Sequence, residues 1–250
     1  MSRKNGCIIA AVALCCLWAG VPRLAASSRF SFGFKLGYTS GQLRAKQGEG
    51  EYKVDKLALG GFSLGLLAQI RLNDFLFLQP EVLYFQKGGK YRVGVPVDSP
   101  WVTVTVNDRR FVDYLEVPIL LKTVLPLKTA FKPTFLIGVS VGINLSAKLD
   151  NEVRIVAPFT LAVLSASEDV RKQVNAIEPS LVIGGAFDIV LPRGRIVVDQ
   201  RFSFGLTTNH YEVVIPGSKF AAAGFPLGRD IVYVLDMYNY VFAVSAGYIF

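Results

Sequence analysis

Residues 135–146 read FLIGVSVGINLS, and this stretch decides the fold class. Large apolar side chains occupy every second position from Phe135 to Leu145, whereas Gly, Ser and Asn fill the positions between them from 138 onward. Successive residues of a strand point to opposite faces of a sheet, so the pattern predicts a strand with one bulky apolar face and one small polar face. The same period of two predicts seven further strands, at residues 30–39, 62–72, 76–91, 111–123, 178–189, 196–205 and 239–250.

The direction of the apolar face decides between a soluble and a membrane protein. In a soluble barrel, about 45 large apolar side chains would have to fill an interior that holds about a dozen. Hydrophobic residues make up 52% of the chain and charged residues 18%. No segment beyond residue 26 offers the long apolar run that a transmembrane helix needs. We therefore predict an all-β, eight-stranded antiparallel transmembrane β-barrel, with its apolar face towards lipid and its small and charged residues in the lumen.

The connections between the predicted strands alternate in length. Short turns are predicted at 73–74, 126–129 and 192–194, and long loops at 44–56, 92–110, 150–175 and 208–238. Short periplasmic turns and long extracellular loops are typical of outer-membrane barrels. Pro80 and Pro118 lie within strands and lack a backbone N–H, so we expect local bulges there.

The first 26 residues have the layout of a secretory signal peptide. Arg3 and Lys4 precede an apolar run from Cys7 to Val21, which is followed by small residues near Ala26. We predict a signal peptide over 1–26 and a single barrel domain over 27–250. All three cysteines, at positions 7, 15 and 16, fall in the predicted signal.

The charge balance gives little support to a nucleic-acid partner. The formal net charge of +8 falls to +5, from 24 cations and 19 acids, once Arg3, Lys4 and Arg23 are removed with the signal. The remaining cations are dispersed, with nothing longer than pairs such as Arg109–Arg110. We predict no nucleic-acid binding.

Residues that could carry catalysis or bind a cofactor are sparse. His210 is the one histidine of the chain, in a predicted loop near Glu212, and no metal-ligand spacing or phosphate-binding loop is present. We predict no enzyme activity, no cofactor and no metal; catalysis by a rim His remains a distant third hypothesis.

The charged residues that strand parity places inside the barrel are the most informative polar set. They are Lys35, Arg71, Lys122 and Arg201 with Glu81, Glu116, Glu178, Asp188 and Asp199. Unpaired charges would be costly in a narrow interior, so we predict a paired lumen charge network. Glu81 and Glu116 are expected to be neighbours at mid-height, with Arg201 and Lys35 as the cations between them.

The chain ends on alternating aromatic residues. Phe242, Tyr248 and Phe250 share one face of the last strand, and a terminal Phe is similar to the signal read by the barrel-assembly machinery. We predict that these residues form an assembly signal.

Three motifs carry a resemblance to a known family. Residues 79–89 (QPEVLYFQKGG), 114–122 (YLEVPILLK) and 247–250 (GYIF) resemble segments of the PorT-like outer-membrane β-barrel family of Bacteroidota, often called a porin family. The resemblance covers residues 30–250 and implies an eight-stranded outer-membrane barrel. Some relatives serve the type IX secretion apparatus, but the motifs mark the barrel and carry no catalytic residues.

Two functions from different classes follow. The first is a closed barrel with a side-chain-filled lumen that acts as a structural or interaction protein through its long apolar loops at 153–164, 213–215 and 220–227. The second is a small channel, for which the lumen charges would be an ion path, although eight strands leave little room for solutes. The expected partners are outer-membrane lipid, the barrel-assembly machinery, and other outer-membrane or secretion proteins.

Overall fold

The computed structural model describes residues 29–45, 53–95, 101–158, 160–215, 217–218 and 230–250. The predicted signal peptide (1–26) and the predicted apolar loop at 220–227 lie outside these residues. None of the described residues belongs to a helix that is long and apolar enough to cross a membrane.

Eleven strands and one short 3₁₀ helix make up the described elements. Eight are long or central: β1 (Phe30–Ala45), β3 (Leu59–Arg71), β4 (Leu76–Val95), β5 (Thr103–Val124), β6 (Phe131–Ala157), β8 (Ile177–Leu191), β9 (Gly194–Gly205) and β11 (Ile231–Ile249). Three are accessory: β2 (Lys53–Leu57), β7 (Thr160–Asp169) and β10 (Asn209–Ile215). The 3₁₀ helix covers Arg171–Gln173.

The eight long or central strands close into an antiparallel ring. They follow one another in the order β1-β3-β4-β5-β6-β8-β9-β11, and β11 pairs back onto β1. Following paired residues once around the ring from Ser40, through Phe242, Phe202, Ile183, Ile137, Leu121, Leu78 and Ile70, ends at Phe30. The return is displaced by ten residues along β1 (40 − 30). Such a stagger tilts the strands by about 40° and closes the barrel without a free edge. The predicted eight-stranded antiparallel barrel is confirmed.

The two faces of the ring have the predicted composition. Apolar residues at alternate positions point outward, from Phe30 to Tyr38 on β1 and from Phe135 to Leu145 on β6, and their side chains are 40–65% exposed. Charged and small residues from the same strands point inward and are buried or half-buried. An exposed apolar belt around a buried polar interior is the arrangement expected when lipid surrounds the barrel.

The strands continue beyond the ring on the side of the long connections. There they form two sheets, β2-β4-β5-β6-β7 and β10-β11-β1. An apolar cluster lies between them, with Leu43, Tyr211 and Met237 from one sheet against residues such as Val93 and Ile155 from the other. The predicted long loops at 44–56, 92–110, 150–175 and 208–238 are therefore corrected, because the described parts of these segments are mostly strand. Many of their apolar residues pack between the two sheets.

The bulges predicted at the two prolines were wrong. Pro80 pairs with Ile119 and Pro118 pairs with Ser140 without a change of register. Instead, each proline lies in a two-residue interruption of one ladder. For Pro80 it lies between the pairs Leu67–Glu81 and Ile70–Leu78, and for Pro118 between Pro80–Ile119 and Leu83–Glu116. These gaps accommodate the missing N–H groups. The register shift of the β5–β6 pair lies between Asp113 and Tyr114.

Candidate functional site: the charged barrel interior

Four buried charges meet at the centre of the barrel. Lys35 comes from β1, Glu81 from β4, and Asp199 and Arg201 from β9; we call them the central cluster. Arg201 contacts Glu81 through two hydrogen bonds, Nη1 to Oε2 at 2.9 Å and Nη2 to Oε1 at 3.2 Å. Its Nη2 also donates to Asp199 Oδ2 at 2.8 Å. Lys35 Nζ lies 2.8 Å from Asp199 and 3.4 Å from Glu81.

The central cluster spans the lumen. β4 and β9 are four strands apart in either direction around the ring of eight, so the Arg201–Glu81 pair joins opposite walls. Two cations face two carboxylates, and each of the four residues is at most 3% exposed. Ser245 Oγ donates to Asp199 at 2.7 Å, and Gln79 Nε2 donates to Glu81 at 2.6 Å. These extra hydrogen bonds are what a buried ion pair needs to offset the loss of its hydration.

A second cluster lies nearer the long connections. Lys87 Nζ contacts Glu116 at 2.5 Å and Glu178 at 2.6 Å, so one cation bridges two carboxylates. Glu178 also accepts hydrogen bonds from Tyr114 Oη at 3.2 Å and from Asn239 Nδ2. We call Lys87, Glu116 and Glu178 the outer cluster.

The prediction that Glu81 and Glu116 are neighbours with Arg201 and Lys35 between them is corrected for Glu116. Glu116 pairs with Leu83, and Glu81 contacts Lys35 and Arg201 while Glu116 contacts Lys87. On β4, two apolar residues, Leu83 and Phe85, separate the two clusters. Each carboxylate therefore has its own cation, and the two acids do not share one.

A third cluster lies near the short turns. Lys122 Nζ contacts both carboxylate oxygens of Asp188, at 2.7 and 2.6 Å, and Arg195 approaches the same group at 3.7 Å. Arg195 Nη2 donates to Gln69, and Gln69 donates to Gln79, each at 2.5 Å. Because Gln79 also donates to Glu81, this hydrogen-bonded chain connects the third cluster to the central cluster.

Arg71 does not belong to the interior. Its side chain is 50% exposed, and Nη2 lies 2.6 Å from Asp74 in the adjacent turn. Strand parity placed Arg71 correctly on the inner face, but β3 ends at that residue and its side chain extends past the end of the barrel. The sequence-based network therefore contained one residue too many.

Lys87 and Arg110 are the interior cations that the predicted network lacked. Lys87 could have been found from the sequence, because it lies six residues from Glu81 on the same strand and the period of two puts both on the inner face. Arg110 was assigned to a loop, yet it lies on β5 and has no exposed surface. Its Nε donates a hydrogen bond to Tyr91 Oη at 2.5 Å, and its guanidinium carbon lies 4.0 Å from the centroid of the Tyr211 ring. Extending the period of two upstream from Glu116 would have placed Arg110 inside.

The buried charges nearly balance across the described residues. Five cations (Lys35, Lys87, Arg110, Lys122, Arg201) face six acids (Glu81, Asp108, Glu116, Glu178, Asp188, Asp199). The half-buried Arg195, which reaches Asp188, brings the two signs to six each.

His210 lies on the outside of the barrel. Its Nδ1 is 2.7 Å from Asp236 Oδ1, in a cross-strand pair of β10 and β11 whose side chains are 67% and 48% exposed. Both side chains point away from the lumen, which contains the three buried clusters.

The predicted assembly residues face outward; Phe242 and Tyr248 lie on β11, and Phe250 follows its last residue. The Phe250 ring contacts Tyr248 at 5.1 Å and Phe34 at 6.3 Å, and its N–H donates to Phe32 O at 2.8 Å. The Phe242 ring lies 5.0 Å from Phe202. These contacts place Phe250 at the seam where β11 meets β1.

The closed ring, its exposed apolar belt and its ion-paired interior define the class of integral membrane β-barrels. Residues 22–211 match the family model described as outer membrane protein beta-barrel domain, which is more than half of the chain. The chain therefore belongs to this family, and its location is the outer membrane.

Comparison with solved structures gives distant likenesses. Ail, the attachment invasion locus protein of Yersinia pestis, is 12% identical with a TM-score of 0.35, covering 89% of this chain and 100% of Ail. The outer membrane protein OprG from Pseudomonas aeruginosa is 13% identical with a TM-score of 0.41, covering 88% of this chain and 95% of OprG. No curated protein sequence matches the chain.

Proposed function

We propose that this protein is a closed outer-membrane barrel that acts as a structural or interaction protein and does not conduct solutes. The observation that supports it most is the Arg201–Glu81 pair, which joins opposite walls at the centre of the lumen. The outer and third clusters lie in the lumen on either side of the central cluster. Opening a path would require buried ion pairs to separate, which is costly.

Conductance in planar bilayers distinguishes this proposal from a small channel. The refolded chain from residue 27 onward should insert without sustained openings. The Gln86→Ala variant, altered on the outward face, serves as a control for the effect of mutation itself. Sustained openings on the nanosiemens scale from pure wild-type protein would favour the channel and refute the closed barrel.

The interaction surface of this proposal is the β6–β7 hairpin at the end with the long connections. Leu161, Val163 and Val156 point outward there and are 45–66% exposed, and the nearby Trp101 is 75% exposed. The neighbouring Val153 and Ile155, which belong to the same predicted apolar loop, are instead buried between the sheets. Exposed apolar residues grouped beyond the membrane belt favour contact with a partner.

The partner of this hairpin, in our proposal, is another outer-membrane or secretion protein. The three motifs that resemble PorT-like barrels support this reading, and a component of the type IX secretion apparatus is its most specific form. Crosslinking in native outer membranes should give a discrete adduct that Leu161→Ser/Val163→Ser abolishes and Ser165→Ala retains. An adduct that survives the double substitution would exclude the hairpin as the contact site. This function includes no catalytic step.

A further inference from the structure

A concave pocket of about 430 Å³ opens on the outward face of the barrel where β1, β11 and β9 meet. Four aromatic side chains form one part of its lining: Phe202, Phe204, Tyr240 and Phe242. Ser40, Gln42 and Arg44 of β1 form the other part. The pocket is therefore amphipathic, and it lies outside the charged interior and away from the β6–β7 hairpin.

The strand register explains the shape of the pocket. Ser40, Phe242 and Phe202 lie in one cross-strand row, and Gln42, Tyr240 and Phe204 lie in the next. Phe202 contacts Phe242 with ring centroids 5.0 Å apart, and Phe204 contacts Tyr240 at 5.5 Å. Small side chains on β1 beside four packed rings leave a hollow with an aromatic wall.

The pocket lies at the border of the apolar belt. The outward residues of β1 are apolar from Phe30 to Tyr38 and then change to Ser40, Gln42 and Arg44. Aromatic side chains at the level of the lipid headgroups are a general feature of transmembrane barrels. The aromatic wall therefore faces the part of the acyl chains next to the headgroups, and Arg44 lies on the headgroup side.

Arg44 provides a cation at the upper end of the wall. Its guanidinium carbon lies 4.9 Å above the centroid of the Tyr240 ring. Among the described residues, no carboxylate lies within ion-pair distance of Arg44; the nearby Asp236 contacts His210. A guanidinium held on an aromatic face, with its N–H donors free to turn outward, suits a phosphate group.

We propose that this pocket binds one acylated, phosphate-bearing lipid of the outer membrane. The acyl chain lies along Phe202, Phe204 and Phe242, and the phosphate contacts Arg44 and Gln42. A free phosphate ion would leave the aromatic wall uncovered, so the favoured occupant carries both a chain and a phosphate. This site does not depend on the proposed interaction through the hairpin.

Native mass spectrometry of delipidated, detergent-folded protein tests the proposal. The probes are dipalmitoyl phosphatidic acid, dipalmitoylglycerol with the same chains but no phosphate, and inorganic phosphate. The wild type should retain one phosphatidic acid, and Arg44→Gln should weaken its apparent affinity by about tenfold, towards the value for dipalmitoylglycerol. The double variant Phe202→Ala/Phe204→Ala should lower the apparent affinity for both phosphatidic acid and dipalmitoylglycerol. Retained circular dichroism shows that each variant is folded.

Arg92→Gln is the matched control, because Arg92 is also an exposed outward cation but lies on β4 and contacts Asn107. It should leave phosphatidic acid binding unchanged. Equal losses in Arg44→Gln and Arg92→Gln, or no loss in Arg44→Gln, would overturn the site. Inorganic phosphate that displaces phosphatidic acid at similar concentrations would show a simple anion site instead.

Discussion

Individual side chains decide whether the interior of this barrel is closed. Arg201 shares two hydrogen bonds with Glu81 and two with Asp199, so every residue of the central cluster contacts two partners of opposite charge. In such a cluster, removal of one member leaves a buried charge with too few partners. The resulting loss of folding free energy measures the cost of the buried charge that remains unpaired more than the net contribution of the ion pair.

A double-mutant cycle measures the coupling within the central cluster. Glu81→Ala and Arg201→Ala should each lower the free energy of unfolding by about 3–5 kcal/mol, because each leaves an uncompensated charge in the lumen. The double variant should lose less than the sum, since it removes both signs together. Urea unfolding in lipid vesicles provides the measurement.

The turn pair Arg71–Asp74 serves as the control for this cycle. Both side chains are at least half exposed, so Arg71→Ala should cost about 0–1 kcal/mol. If the two interior losses simply add, Glu81 and Arg201 are not coupled and the network hypothesis fails.

The sequence predicted the inner face of the strands better than the contacts made there. Parity placed eight of the nine predicted charges among the buried residues, and Arg71 differs because its strand ends there. The two cations expected beside Glu81, which are Arg201 and Lys35, do contact it. The pairs of the other charges could not be predicted, because they depend on the height of each residue along the barrel. Glu116 was placed beside Glu81 because their strands are adjacent, but its cation is Lys87, six residues further along the same strand as Glu81.

The strands differ from their sequence-based bounds mainly at the end with the long connections. Within the belt, large apolar and small polar residues alternate clearly, so the faces could be predicted. Beyond it, apolar residues such as Tyr91, Val106 and Ile155 face inward and pack between two sheets, whereas outward positions carry polar residues such as Arg92 and Arg154. The alternation there is the reverse of the one in the belt, and β7 and the last part of β6 were read as loop.

Gly88 is the residue on which the path of β4 depends most. Its φ is +129°, and a methyl group there would lie 1.9 Å from Arg110 O. Gly88→Ala should therefore lower the free energy of unfolding by about 1–3 kcal/mol or more. Gly94→Ala on the same strand meets nothing within 4 Å and should change it by about 0.5 kcal/mol or less. If urea unfolding gave equal stabilities for the two variants, the close approach of the β4 and β5 backbones at Gly88 would be contradicted.

The role of the last strand in assembly remains a prediction. Phe250→Ala should lower the fraction of protein in the outer membrane several-fold, because a terminal aromatic is the expected assembly signal. Phe32→Ala removes an equally large outward ring from β1, 56% exposed, and should change that fraction little. Quantitative blotting of membrane fractions compares the two variants. Equal losses would assign Phe250 a packing role at the β1–β11 seam and no role in sorting.

The whole molecule combines a lipid-facing ring with a two-sheet extension that has its own apolar core. The charged clusters fill the ring, and the apolar cluster of Leu43, Tyr91, Tyr211 and their neighbours closes the end with the long connections. The sequence was sufficient for the ring because the belt is repeated in eight strands. It was insufficient for the extension, whose two sheets meet only through residues distant in the chain.

Access of water to the lumen is the most direct test of the closed barrel. From residue 27 onward the chain has no cysteine, so a single introduced thiol can be followed without background. Ser203 points inward on β9 and is 3% exposed, whereas Ser165 on β7 is exposed. The rate at which a charged methanethiosulfonate reagent modifies folded Ser203→Cys should be at least about a hundredfold lower than for folded Ser165→Cys, and the two rates should become equal in urea. Similar rates in the folded state would mean that water and ions enter the lumen, and would contradict the closed barrel.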